Sequence, residues 1–451
     1  MSRPDADDAR SNGVLGNGRR ADGSQRLEAG GGREPRMMPS RSGRRMISLD
    51  ALVERIESAF LDEHGPDSPA LLEADTGAKR LKLVLETTDY ILAIEAVQLT
   101  ADEKAELAQR VYSQLFGYGP LDPLLADERI TTISLEGADR VAVRYGHADL
   151  VTQPPIFQNR EHMLRTLKRM LADARAELRD DLPFVEFGLN IGGRPACISL
   201  AAPPAAFQLS ADIRLHPRDP LSAQDLQASG FLSPLAVQFL RALAVSSHGA
   251  IVVGEPESGK TTLLSMLSGW LPQPERTAAV ERAGELRLPD GVQRYVVRWP
   301  FKGQAGISLS QQVQAALESR PACVLLDEVR ADEPAAVAPL LSQEDAPRQL
   351  WAFRGAVFVK RLASALGMLA RRADLAQGDQ LVQTLYQRLP FVISVSRVQS
   401  QLRLWAVGEW QLRDGYPVYV PLLDTSDGEL RPTGKRPLCE LPIEESFWST
   451  A

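Results

Sequence analysis

The sequence predicts an α/β protein in four parts: a disordered tail (1–45), a helical module (46–117), a smaller α+β domain (118–216) and a C-terminal domain (217–451) built on a parallel sheet. Three observations carry this. Apolar residues recur at helical spacing from Ile47 to Phe116. Short alternating segments around one helix follow. From about residue 220, apolar runs suited to buried strands alternate with helical stretches, the mark of a parallel sheet with crossovers.

The 451 residues allow two to four domains and an ample core. Composition is that of an ordinary globular protein, 44% hydrophobic and 24% charged. A net charge of -7 argues against a global nucleic-acid-binding field, and nucleic acid is not expected as a partner. The tail is rich in Gly, Arg, Ser and Asp and cannot bury enough surface to offset its ordering entropy. Its ten arginines against six acidic residues leave it basic, as a solvated linker or a weak contact to acidic lipid or nucleic acid.

In the helical module, SLDALVERIESAFLDE places Leu49, Leu52, Val53, Ile56 and Phe60 on one face. Thr100 with Glu103 three residues later is a capping-box signature. Next, ITTISL and RVAVRYG read as strands, EHMLRTLKRMLADARAEL as a helix, and FGLNIGGRPACISLA and FQLSADIRLHP as further strands. The two prolines of PRDPLSAQD mark a connector. Beyond it, GAIVVG, TAAVE, PACVLLDE and RQLWAF read as buried strands, and the segment after Phe391 as antiparallel ones. Cys197 and Cys323 sit in apolar runs and read as buried thiols. No apolar run approaches the roughly 18 residues of a membrane span, and no signal-peptide core opens the chain, so a cytoplasmic location is expected, with any membrane role going through partners.

The segment Gly254–Thr261, GEPESGKT, has the G-x-x-x-x-G-K-[ST] spacing between a strand and a helix. Gly254, Glu255, Pro256, Glu257, Ser258, Gly259, Lys260, Thr261 and Thr262 are the candidate ATP-binding residues. Backbone N–H groups from Ser258 to Thr261 would ring the β-phosphate, Lys260 would lie along the β- and γ-phosphates, and Thr261 would ligate Mg²⁺. Asp327-Glu328 ends an apolar strand expected beside the first, with Asp327 toward the metal and Glu328 polarising water; the bland alternative is a pair of acids at a strand end. Pro256 removes one phosphate donor. Glu257 stands where such loops often place Gly, and a positive φ there would cost on the order of 1–2 kcal/mol. Its carboxylate near phosphates would add repulsion of roughly 1 kcal/mol.

These residues resemble the hexameric secretion ATPases of type II and type IV secretion and of type IV and Tad/Flp pili. The likeness lies in GYGPLDPLLADERITTISLEGADRVAVRYG, in the SADIRLHP to GKTTLL link and in ESRPACVLLDEVR. It is nearest to the Tad/Flp branch and spans about 115–335, loosely to 425. The resemblance implies a RecA-like P-loop domain, ATP with Mg²⁺, a homo-hexamer, and an inner-membrane platform protein as partner. It implies Lys260, Glu281 and Glu328 as catalytic residues and Arg194 and Arg214 as arginines near the phosphates, unless these are ordinary surface arginines. Departures converge on the site: Arg282 stands where Asp is expected, Arg354 stands in the histidine position, and Glu257 replaces Gly. A motor that hydrolyses ATP and a catalytically weakened nucleotide-binding subunit are both compatible with this pattern, and a DNA-handling ATPase of conjugation less so.

Overall fold

A computed structural model describes residues 37–39, 46–65, 68–355, 358–398, 401–426 and 428–449. Most of the expected tail therefore lies outside the described residues; its segment Met37–Pro39 is a strand paired antiparallel with Met46–Ser48.

The helical module folds as its periodicity requires. Leu49–Glu63 buries Leu49, Leu52, Val53, Ile56 and Phe60 against Gly77–Ile94 and Ala101–Phe116, around Val84, Leu107 and Val111. The capping box forms: Thr100 Oγ1 accepts from Glu103 N, and Glu103 accepts from Thr100 N.

The α+β domain is a six-stranded antiparallel sheet carrying one long helix, Arg160–Asp173. Its central strands are Ile130–Glu136 and Ser210–Leu215, flanked by Arg140–Tyr145 on one side and by the hairpin Phe184–Ile191 and Arg194–Ala201 on the other. Gly192 and Gly193 close that hairpin at φ 58° and 86°, the paired left-handed conformations a two-residue turn needs.

The C-terminal domain holds a nine-stranded sheet with the RecA-like parallel core expected. From one edge the strands run Gln293–Val296, Thr277–Glu281, Cys323–Val329, Arg348–Arg354, Ala250–Gly254 and Phe391–Val398, all parallel. Gln401–Arg413, Tyr416–Ser426 and Glu429–Pro432 extend it antiparallel. Apolar clusters cover both faces, one around Phe239, Leu263 and Phe391, the other around Trp351, Leu366 and Tyr386. One expectation is corrected: Cys323–Val329 does not lie beside Ala250–Gly254, because Arg348–Arg354 is inserted between them. Both strands read as uniformly apolar, so periodicity could not order them. The insertion matters, since it carries Arg354 to the position paired with Gly254. Cys197 and Cys323 are buried free thiols. Among the described residues no helix is long and apolar enough to cross a membrane.

Candidate functional site

The site grows out of the junction between Ala250–Gly254 and the helix Lys260–Ser268. A fully buried strand ends at Gly254, where a Cβ would collide with the Val395 carbonyl and the Ser258 hydroxyl. Glu255 and Pro256 face outward. Glu257 sits at φ 60°, so the strain foreseen for a non-glycine residue is present. Gly259 caps the helix at φ 92°, and Lys260 to Thr262 form its first turn. Ser258 is buried, and its Oγ has no hydrogen-bond partner among the described residues. A buried orphan hydroxyl in a loop with no room for a Cβ is what a phosphate cradle presents before it is filled.

Lys260 is buried to 4% exposure. Its Nζ donates to Glu255 O at 2.8 Å and pairs with Glu328 Oε2 at 3.1 Å. Thr261 Oγ1 donates to Asp327 Oδ1 at 3.1 Å. Asp327 is buried; burial, then Glu285, Glu328 and Glu281, push its carboxyl well above the usual range, with Lys260 opposing. Crowded carboxylates beside a threonine hydroxyl fit a hard divalent cation. No group of three or more acidic, His or Cys side chains could enclose a metal among the described residues. Mg²⁺ takes one or two protein oxygens and completes its shell with phosphate and water, and Thr261 Oγ1 and Asp327 Oδ1 are two such oxygens side by side.

Glu328 is ringed by cations. Besides Lys260, Arg330 Nε lies 3.8 Å and Arg354 Nη1 3.9 Å from its Oε1. Arg354, the residue expected in the family's histidine position, puts a fixed positive charge beside the acid expected to polarise water. Arg282 donates from Nε to Glu328 O at 2.9 Å and pairs with Glu333, so it holds the strand end rather than contributing an acid.

The α+β domain closes over this floor. Glu186, 5% exposed, pairs with Arg330 across the domain junction and with Arg214 at 3.4 Å within its own sheet. Arg214 also reaches Glu285 at 3.5 Å, and His216 Nε2 lies 2.8 Å from the other Glu285 oxygen. Burial opposes the charge on Glu285, but Arg214 and His216 outweigh it and hold the carboxyl well below its ordinary value. Thr261, Asp327, Glu328, Arg282 and Glu285 line one small pocket with Glu186 and Arg214. The fit is close: a Cβ on Gly188 would sit inside the Ala283 carbonyl. A separate cleft of about 890 Å³ runs beside Ser265, Met266, Trp270 and Arg287; neither Lys260 nor Thr261 lines it.

Arg214 thus lines the pocket with Asp327 and Glu328, whereas Arg194 and Glu281 are engaged elsewhere. Arg194 is buried, and its three nitrogens donate to the carbonyls of Asp127, Ile130 and His216 at 2.7–3.2 Å. It pins backbone within its own domain. Replacing Arg194 with Met should cost about 2–4 kcal/mol of stability, because three buried carbonyls lose their donor, while leaving nucleotide affinity unchanged. A urea melt beside a nucleotide titration checks this. Glu281 is also withdrawn: one oxygen accepts from Leu286 N at 2.7 Å, the other faces Arg294 Nε at 3.0 Å, and burial raises its pKa to about 7. Glu285, four residues on, reaches the pocket instead. Sequence reasoning missed Glu186, which meets Arg330, and Thr132, Arg144 and Arg397, which meet Glu257; these partners lie far away in the chain.

Residues 125–342 match the sequence profile described as Type II/IV secretion system protein. A Mycobacterium tuberculosis protein named for conjugal transfer is 30% identical over 229 residues, covering 49% of this chain and 64% of that one. The chain thus spans under two thirds of that relative's length. The type IV secretion system protein PtlH of Bordetella pertussis is 36% identical over 98 residues, covering 21% of this chain and 29% of its own. VirB11 of Brucella suis is 25% identical over 263 residues, covering 52% and 71%. Among solved structures, the Brucella suis VirB11 ATPase with sulphate aligns at TM-score 0.33 and 21% identity, covering 64% of this chain and 95% of that one. The pilus retraction motor PilT with bound ADP aligns at 0.41 and 17%, covering 68% and 83%.

Proposed function

We propose that this chain, whose residues 125–342 match the Type II/IV secretion system protein profile, is an ATP-binding motor subunit that closes two domains around Mg²⁺·ATP to drive a secretion, conjugation or pilus-type machine. The observation that carries the reading is the meeting of Lys260 with Glu328 and of Thr261 with Asp327 under the Glu186–Arg330 domain junction. Loop N–H groups and Lys260 would hold the β- and γ-phosphates, and Thr261 and Asp327 would hold the cation. Bound there, Mg²⁺ would neutralise phosphate charge. Glu328 would orient water, and Arg214 would face the nucleotide from the other domain. A nucleotide that favours the closed state shifts the domain equilibrium toward it, which is how binding becomes motion.

A second reading, a weakened nucleotide-binding scaffold, is favoured by the cations around Glu328, which hold its charge away from water. Phosphate release from Mg²⁺·ATP, measured on the full chain beside Lys260→Ala, separates the two. Release that depends on Lys260 supports the motor; nucleotide binding without release above the variant's background supports the scaffold. Either way the family context supports a ring at the cytoplasmic side of an inner-membrane platform partner, with the Tad/Flp pilus type as the finer assignment. Light scattering at saturating nucleotide should give a mass near six chains; a strictly monomeric mass contradicts the ring.

A further inference from the structure

The carboxylate of Glu257 looks misplaced in a loop built for polyanions, yet it is far from unpartnered. Thr132 Oγ1 donates to its Oε1 at 2.9 Å. Arg144 Nε lies 3.2 Å and Arg397 Nη2 3.7 Å from its Oε2. Arg397 also donates to the Glu257 carbonyl at 3.4 Å. Thr132 and Arg144 belong to neighbouring strands of the α+β domain, while Arg397 is the penultimate residue of Phe391–Val398, the strand beside Ala250–Gly254. Arg144 is 14% exposed, its Nη1 donates to Ala148 O, and its buried Nε makes no hydrogen bond among the described residues. The ion pair with Glu257 is what offsets the burial of that nitrogen. Glu257 thus gathers one arginine from each domain at the lip of the phosphate loop, and it holds a left-handed backbone to do so.

We propose that Glu257 is an internal counter-ion, occupying Arg144 and Arg397 until the terminal phosphate of a nucleoside triphosphate takes them over. The inference rests on the nucleotide-site reading above. Two guanidinium groups within 3.7 Å of a loop carboxylate are already placed where a terminal phosphate would recruit them. A triphosphate entering the loop meets Glu257 as a like charge and the arginines as opposite charges. Transfer of the arginines to phosphate relieves the repulsion, and the contact that joins the α+β domain to the loop then runs through the nucleotide. A diphosphate, lacking the terminal group, leaves the pair with Glu257. The device would make domain coupling specific for the triphosphate, at the cost of weaker binding to it.

The test is equilibrium titration of the full chain with Mg²⁺·AMP-PNP and Mg²⁺·ADP. Glu257→Gln keeps the size and an acceptor for Thr132 while removing the charge; Glu257→Gly, compatible with φ 60°, is the second variant. Both should tighten AMP-PNP about tenfold and ADP no more than about twofold. Arg144→Ala should weaken AMP-PNP about tenfold relative to ADP. In the nucleotide-free chain, Glu257→Gln should speed amide exchange in Ile130–Glu136 and Arg140–Tyr145, and AMP-PNP should restore protection. Lys260→Ala separates the failures. If it binds both nucleotides like the parent, the nucleotide-site reading falls. If it abolishes binding while the Glu257 variants leave both the AMP-PNP to ADP ratio and the exchange rates as in the parent, the counter-ion role is wrong.

Discussion

Glu186→Ala should destabilise the protein by about 3–5 kcal/mol, the range for removing one partner of a buried ion pair. Glu186 is 5% exposed, and its two oxygens face Arg330 and Arg214, which are 18% and 25% exposed. Without it, two guanidinium groups remain largely buried at the domain junction, and among the described residues Glu285 and Glu328 are the acids left to pair with them. The loss should exceed that of Glu186→Gln, which keeps an acceptor for Arg330. Because Arg330 directly follows the strand Cys323–Val329 that carries Asp327 and Glu328, the variant should also loosen the floor of the site, so nucleotide affinity falls along with stability. Denaturant melts of parent, Glu186→Gln and Glu186→Ala, with and without Mg²⁺·ADP, check this. Equal melts for parent and Glu186→Ala would mean that the two domains do not depend on this junction.

Glu328→Gln should move binding and turnover in opposite directions. The carboxylate pairs with Lys260 at 3.1 Å, and that pairing competes with phosphate for the lysine. Removing the charge frees Lys260, so Mg²⁺·ATP should bind a few-fold more tightly. Turnover should fall by about 10²–10³, the usual effect of losing one group placed for the transition state. Arg354→His should act in the other sense and raise turnover more than affinity, because it withdraws a cation lying 3.9 Å from Glu328. Binding curves and single-turnover phosphate release on the same preparations read both quantities. A Glu328→Gln protein that hydrolyses ATP as fast as the parent removes Glu328 from the reaction.

Much of the scaffold was legible because burial has a period. The face Leu49, Leu52, Val53, Ile56 and Phe60, the capping box at Thr100, and the strands around GAIVVG and PACVLLDE all follow from spacing alone. The phosphate loop was legible because its backbone geometry demands Gly254 and Gly259 at fixed separation. What escaped was whatever depends on which elements meet. Uniformly apolar strands give no sign of their order, so the insertion of Arg348–Arg354 beside Ala250–Gly254 was invisible. An arginine on a strand looks the same whether it faces a phosphate or caps three carbonyls, and Arg194 proved to be the second kind. Glu186 meets Arg330 across 144 residues, and Glu257 meets Thr132 across 125, so neither pair leaves a local pattern. The odd glutamate in the loop was visible, and its condition, a positive φ, could be stated in advance; its partners could not.

The account stands or falls on whether nucleotide sits between Lys260 and the α+β domain. Calorimetric titration of the full chain with Mg²⁺·ADP, beside Lys260→Ala, measures this directly. Lys260 is the buried cation of the loop, and its loss should weaken binding by about 100-fold or more, roughly 3 kcal/mol. Saturable binding in the parent and none at matching concentrations in Lys260→Ala is the predicted result. Equal affinity in the two proteins, or no binding in either, would contradict it.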